Sequence, residues 1–307
     1  MGTVVILGVF VADTAYVAAR QPRMGETILG NDFRLGPGGK GSNQAVAAAK
    51  AGAATRFITR LGQDTFAQMA LAAWAEAGVT PAVTHHPDSY TGAAYIFVDA
   101  ASGDNAIIVA PGAAAGITGA DVAENADLIR TADVFVTQLE QPQLAALAAL
   151  SLARASGVVT VLNPAPAAPL LPGMLEVCDY VIPNETEAEA LTGIAVRDLA
   201  GAEAAAASLI ARGAGAAIVT LGERGALYLA AGGAALHVPA FAAGPVVETA
   251  GAGDAFIGGF AAALAAGDAP ERAIRFGCAT AGISVTRPGT APSMPGRAEI
   301  EALLARG

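Results

Sequence analysis

The chain has 307 residues, 54% of them hydrophobic and only 14% charged, which excludes a disordered chain and allows a large buried core. Its formal net charge of −10 excludes broad binding to a nucleic-acid backbone, which needs clustered Lys and Arg; small anions held by backbone N–H groups are still compatible. Cys178 and Cys278 are too few for a disulfide framework, and no apolar run reaches the roughly 20 residues that span a bilayer, so a cytoplasmic protein without membrane or nucleic-acid partners is expected.

In chain order, short β-branched runs alternate with alanine-rich helical stretches. Residues 3–9 (TVVILGV) read as a buried strand, and 14–36 as an extended, loop-like segment with Pro22, Gly25, Gly30 and Gly36. A helix is expected at 42–51, a strand at 55–61 and a helix at 64–77. Residues 90–110 read as a β-hairpin with a Ser-Gly-Asp-Asn turn. Strands at 133–139, 158–163, 179–184 and 216–222 then alternate with helices at 142–156 and 202–212. The alternation implies a single α/β domain over 1–307, a mostly parallel central sheet with helices on both faces. The segments 14–36 and 90–110 are expected to form a small antiparallel sheet projecting from it. No repeat or linker divides the chain. Ligands of such sheets gather beyond the carboxyl ends of the strands, where Asp13, Glu140, Asn163, Asn184 and Thr220 fall.

Four stretches carry candidate chemistry. "GPGGKGSNQAVAAAKAG" at 36–52 opens a helix through glycines, without the spacing of a P-loop or a dinucleotide fingerprint. It is either simple turn chemistry or a ligand loop whose Lys40, Ser42 and Asn43 suit a polyhydroxylated molecule. In "TAGAGDAF" at 249–256, Gly251 and Gly253 let N–H groups point one way at a helix mouth, a nest for an anion. Asp254, one residue inside, is either a cap or a base. "PNETEAEALTG" at 183–193 puts Asn184 and Glu187 on one side of a first turn, which serves the helix dipole or magnesium shaped by phosphates. "TLGERGA" at 220–226 is a hairpin turn or a nucleotide-facing loop. His85 and His86 read as loop residues, His237 as structural, and Trp74 as packed on a helix face.

Taken together and in this order, these motifs resemble the ribokinase/PfkB family of carbohydrate kinases. The likeness runs almost end to end: "GVFVAD", "GGKGSNQAVAAA", "TQLEQP", "NPAPA", "PNETEAEALTGI", "TLGERG", "GAGDAF" and "AIRFG…ISVTRPGTAPSMP". The resemblance implies a β lid over a sugar, frequent homodimerisation through that lid, and MgATP-dependent phosphorylation of a sugar's primary hydroxyl. It places Val11, Asp13, Gly39, Lys40, Gly41, Asn43 and Glu140 at sugar-site positions. Asn184, Thr220, Gly222, Gly225, Gly253 and Cys278 fall at nucleotide-site positions. Asp254 matches the catalytic base, with Gly251, Ala252 and Gly253 in the anion hole, and Glu187 the acidic residue associated with magnesium through water. Glu248, Ala250, Ser284, Arg287, Gly289 and Ser293 match a loop pair that binds potassium.

Three positions depart from the family pattern. Val11 stands where an asparagine would bond a sugar hydroxyl, Glu248 replaces an aspartate, and Cys278 replaces a more polar residue. The expected activity is ATP-dependent phosphorylation of ribose, with the N–H groups of 252–254 stabilising the migrating phosphoryl group and the helix entrance keeping Asp254 ionised. Its rivals are a kinase of 2-deoxyribose, another sugar or a nucleoside, and a non-catalytic sugar- or nucleotide-binding regulator. A dehydrogenase is disfavoured, because "GVFVAD" stands where GxGxxG would follow the first strand.

Overall fold

The computed structural model describes residues 2–306. The chain begins with β1 (Thr3–Leu7), β2 (Val11–Ala18), β3 (Asp32–Gly38), α1 (Lys40–Lys50), β4 (Ala54–Leu61), α2 (Thr65–Ala77), β5 (Thr80–His85), β6 (Thr91–Asp99) and β7 (Asn105–Gly112). There follow α3 (Gly119–Glu124), α4 (Ala126–Arg130), β8 (Val134–Thr137), α5 (Gln143–Ala155), β9 (Val159–Leu162), β10 (Tyr180–Val181), α6 (Glu185–Thr192) and α7 (Leu199–Ala211). The last elements are β11 (Ala216–Thr220), β12 (Ala226–Ala230), β13 (Leu236–Val238), α8 (Ala252–Ala265), α9 (Pro270–Ser284) and α10 (Arg297–Leu304).

Nine strands form the main sheet in the order β13-β12-β11-β10-β9-β8-β1-β4-β5. It is parallel from β11 through β5, and β12 runs against the rest, pairing antiparallel with both β11 and β13. Alternation along β1 divides the core: Val4 and Ile6 join Phe57, Trp74, Phe256, Phe260 and Phe276 on one face. Val5 and Leu7 join Phe135, Leu150, Leu175 and Leu209 on the other, so helices cover both faces. Each fully buried Phe or Leu contributes about 1.5–3 kcal/mol. Trp74 is completely enclosed, edge-on to Phe10 and Phe57, as its helix-face reading required.

Small residues draw α8 down onto α1. A Cβ at Gly258 would lie 2.4 Å from the Ala47 Cβ and 2.6 Å from the Gln44 carbonyl. No larger side chain fits at position 258 without parting the helices, and Asp254, one turn earlier on the same face, is thereby brought against α1.

The second sheet has four strands in the order β3-β2-β6-β7. Two expectations are corrected here. The loop within 14–36 is confined to 19–31, because β2 and β3 pair antiparallel from Val11↔Gly38 to Val17↔Asp32. Nor is the sheet wholly antiparallel, because β2 and β6 run parallel from Ala12↔Ala93 to Ala18↔Asp99. The hairpin turn forms as read, with Asp99 accepting the N–H groups of Ala101 and Ser102 at 2.9 Å and Gly103 at φ 77°. The sheet leaves Tyr16, Phe33, Leu35, Ile107, Ile108 and Val109 exposed. Among the described residues, no helix is long and apolar enough to cross a membrane.

Candidate active site

All the parallel strands present their carboxyl ends at one edge, and the site is assembled there. The crevice lies where β1 and β8 adjoin and the connections diverge to opposite sides. Gly8 follows β1, Gln138 follows β8, and Gly41 sits in the first turn of α1. A Cβ on either glycine would meet the Gln138 Oε1, at 2.5 Å from Gly8 and 2.9 Å from Gly41.

Asp254 is 8% exposed, and both its oxygens are engaged by α1. The Asn43 Nδ2 donates to Oδ2 at 3.0 Å and the Gln44 Nε2 to Oδ1 at 2.9 Å. The Asn43 Oδ1 is buried with no partner, leaving an acceptor for a hydroxyl. Burial raises the Asp254 carboxyl above the ordinary value, against the charge of Lys40 and the two amide donors. Burial thus works against the ionised form that the helix entrance favours.

Further carboxylates share the pocket. Glu140 accepts the Lys40 backbone N–H at 2.9 Å, supplying from outside the N-terminal anion that α1 lacks, since Gly39 offers no side-chain cap. Burial pushes Glu140 up to about 7; Lys40 opposes the rise, and Asp254 and Asp13 add to it. Asp13 is pushed up to about 6 by burial, then by Asp254 and Glu248. Its carboxylate lies over Gly38, where a Cβ would come 2.2 Å from Oδ2. Burial alone would depress the Lys40 ammonium, but Asp254, Glu140 and Glu187 leave it above the usual lysine value. Lys40 makes no ion pair among the described residues. Val11 is two residues before Asp13, on the same side of β2, and is buried.

At the mouth of α8, Gly251 adopts a left-handed cap at φ 78° and ψ −1°, with no side-chain cap. The Ala252 N–H donates to the Thr249 carbonyl at 3.2 Å, whereas those of Gly251, Gly253 and Asp254 have no acceptor among the described residues. The unpaired amides of this turn are thus those of 251, 253 and 254, because Ala252 closes a turn of its own. A Cβ at Gly253 would meet nothing within 4 Å, so the backbone faces open space that a phosphoryl group can enter.

Asn184 and Glu187 form a reciprocal capping box on α6, with the Glu187 N–H on Asn184 Oδ1 at 2.8 Å and the Asn184 N–H on Glu187 Oε2 at 2.9 Å. Burial raises Glu187, against the Asn184 N–H and Lys40. Asn184 also bridges to Thr220 at the end of β11. Gly222 and Gly225 flank the following short turn at φ 56° and 93°; a Cβ at Gly225 would strike the Val238 carbonyl at 2.0 Å. Cys278 is 5% exposed within the apolar cluster, and burial pushes its thiol up to about 12, so it offers no polar handle.

No group of three or more His, Cys, Asp or Glu could hold a metal among the described residues. Magnesium therefore fits only as an ion carried largely by nucleotide phosphates and water, with the free oxygen of Glu187 as a protein anchor. Of the six positions matched to potassium, Glu248 meets Gly289 and Ser284 meets Arg287. Glu248 Oε2 accepts the Gly289 N–H at 2.9 Å, and the Glu248 N–H donates to the Val285 carbonyl. The carbonyls of Ala250, Arg287, Gly289 and Ser293 accept no backbone N–H among the described residues; that of Ser284 accepts from Arg287. Thr290 in this loop donates its hydroxyl to the Pro37 carbonyl at 2.9 Å, and its Cβ lies 3.2 Å from where a Gly251 Cβ would be.

Several residues take places the sequence did not suggest. Ser42 is fully buried and accepts the Trp74 indole N–H at 2.9 Å, so it serves the core rather than a ligand. His85 ends β5 rather than lying in a loop, whereas His237 lies on a strand, β13, and bonds the Arg224 carbonyl, in keeping with its structural reading. Gln44 and Gln138, both fully buried in the site, carry no local signal in the sequence.

The sequence profile described as pfkB family carbohydrate kinase matches residues 1–297. The chain belongs to this family. It is accordingly a carbohydrate kinase, a phosphotransferase with an alcohol acceptor. The ribokinase of Haemophilus influenzae is 37% identical over 298 residues, covering 97% of this chain and 96% of its own length. The deoxyribokinase of Salmonella typhi is likewise 37% identical, over 294 residues and 95% of each chain. The solved Arabidopsis thaliana ribokinase, complexed with ribose and ATP, superposes with a TM-score of 0.93 at 30% identity, over 99% of this chain and 98% of that one.

Proposed function

We propose that this pfkB-family kinase transfers the γ-phosphoryl group of ATP to the primary hydroxyl of ribose. The observation that carries the reading is a buried carboxylate, Asp254, one residue inside a helix mouth whose Gly251, Gly253 and Asp254 amides lack partners. Phosphoryl transfer has a loose transition state and asks mainly for positioning and charge stabilisation. Asp13, Asn43 and Glu140 hold the sugar hydroxyls, and the orphaned Asn43 Oδ1 accepts one of them. The three amides receive charge developing on the phosphoryl oxygens, and Lys40 adds its ammonium from the same pocket. Asp254 orients the attacking hydroxyl and accepts its proton as the new P–O bond forms. Its raised basicity suits that acceptance.

Asn184, Thr220, Gly222, Gly225 and Cys278 are assigned to the nucleotide, and Glu187 to a water-mediated hold on magnesium. Bound magnesium supplies neutralisation of the phosphate charge. Glu248 and the carbonyls of Ala250, Ser284, Arg287, Gly289 and Ser293 are assigned to a potassium ion. The exposed aromatic and aliphatic residues of the four-stranded sheet support its use as a lid and as a homodimer contact, in a cytoplasmic enzyme.

Val11 favours a second reading, a kinase of 2-deoxyribose. A valine cannot pair with a sugar hydroxyl, and burying one unpaired costs about 1–3 kcal/mol. ADP release measured across ribose, 2-deoxyribose, fructose and nucleosides, with and without potassium, separates the readings. Ribose leading in kcat/KM supports the first, 2-deoxyribose leading supports the second, and sugar and ATP binding without ADP formation overturns both.

A further inference from the structure

The carboxylate at Asp254 is gripped by a side chain that belongs to no sugar or nucleotide position. Gln44 is fully buried on α1 and donates from Nε2 to Asp254 Oδ1 at 2.9 Å and to Asn163 Oδ1 at 3.2 Å. The Gln44 Oε1 accepts the Gln138 Nε2 at 2.6 Å. The hydrogen-bond logic leaves one orientation for each amide. Asn163 Nδ2 donates to the Ile182 carbonyl at 2.9 Å, and a carbonyl only accepts, so Asn163 must turn its oxygen to Gln44. Gln44 must then present its NH₂ to Asn163, and with it to Asp254. Its oxygen is left facing Gln138, whose amide sits in the slot kept open by Gly8 and Gly41. A fixed backbone carbonyl at the end of β10 thus dictates, through two side chains, that the carboxylate meets a donor.

We propose that Gln44 is the positioning residue for the base, with Gln138 and Asn163 locking its amide in the donating sense. The inference rests on the reading of Asp254 as proton acceptor. Gln44 holds the Asp254 carboxylate in one rotamer and lowers its proton affinity against the rise that burial imposes. A polar network this deeply buried is costly unless every member is oriented, which is why the glycines that house it matter.

The test compares Gln44→Met and Gln138→Met with the parent enzyme, each checked for folding by circular dichroism and thermal unfolding. Gln44→Met should lower kcat about 10- to 100-fold, as for a lost bond to a charged group, with the sugar KM within about twofold. The acid limb of its kcat–pH profile should move up by about one unit, because the charged form has lost a donor. Gln138→Met, which leaves Gln44 in place but free to turn, should move both readouts the same way by less, and it carries the test if Gln44→Met does not fold. Lowered kcat with an unmoved acid limb in both variants would show a merely structural role and overturn the proposal. Asp254→Asn keeps the two readings distinct. If it abolishes turnover while Gln44→Met turns over normally, only the positioning role fails; if it stays active, the base assignment fails as well.

Discussion

The proposed acceptor half of the site and the proposed nucleotide half are built on opposite plans. The acceptor half is made of side chains drawn from distant segments: Asn43 meets Asp254 across 211 positions, and Lys40 meets Glu140 across 100. It is buried, crowded with carboxylates, and depends on packing between α1 and α8. The proposed nucleotide half is local, formed by a capping box between Asn184 and Glu187, three positions apart, and a glycine turn at 222–225. Selectivity and proton transfer need groups fixed at a distance from one another in sequence, whereas phosphate and base binding can be met by backbone within one turn. Damage to the first half should therefore appear in chemistry and pH behaviour, and damage to the second in nucleotide affinity.

The sharpest challenge to that contrast is Asp254→Asn, expected to lower kcat by at least about 10²-fold. Because burial opposes the charge it removes, the same variant should unfold no more easily than the parent in a thermal melt. Near-normal turnover by a folded variant would end the base assignment. Next comes Val11→Asn, which should raise the ratio of kcat/KM for ribose over 2-deoxyribose about 10-fold by restoring a hydroxyl partner. An unchanged ratio would show that Val11 does not face the sugar. Asn184→Ala should raise the ATP KM several-fold with the sugar KM unaltered, and cost about 1 kcal/mol of stability through the lost cap. A change in sugar KM instead would blur the division between the halves.

The smallest effect concerns pH. Asp13 and Glu140 titrate near 6 and 7 in the folded protein, above their unfolded values, so between about pH 4 and 7 the native state holds more protons than the unfolded one. Stability should be full below that window and decline as pH rises through it, read as a lower unfolding midpoint at about pH 8 than at about pH 5.5 in ligand-free protein. Glu140→Gln should flatten the slope. A midpoint that climbs with pH would mean these carboxylates are solvated.

Much of this was legible in the sequence, for definite reasons. Parallel strands buried on both faces leave continuous apolar runs, so β1, β8 and β11 stand out, and each motif at 39–43, 184–187 and 251–254 lies within one turn and exposes its own logic. What lay hidden was whatever depends on partners far along the chain. Nothing local says that Ser42 would feed Trp74, or that Gln44 would be claimed by Gln138, Asn163 and Asp254. The parallel pairing of β2 with β6 was missed because the hairpin pattern at 90–110 speaks only for its own two strands. At Asp254 the local signal is only half of the balance: a helix mouth favours charge, and burial, which depends on distant packing, opposes it.

Thr290 has a mechanical consequence. Its hydroxyl tethers the root of β3 at Pro37 while its Cβ abuts Gly251. The root of the four-stranded sheet and the turn at Gly251 thereby share one anchor. If that sheet swings as the proposed lid, it has to pivot farther out than Pro37, and a sugar that drew its root inward would press on the turn at Gly251 itself.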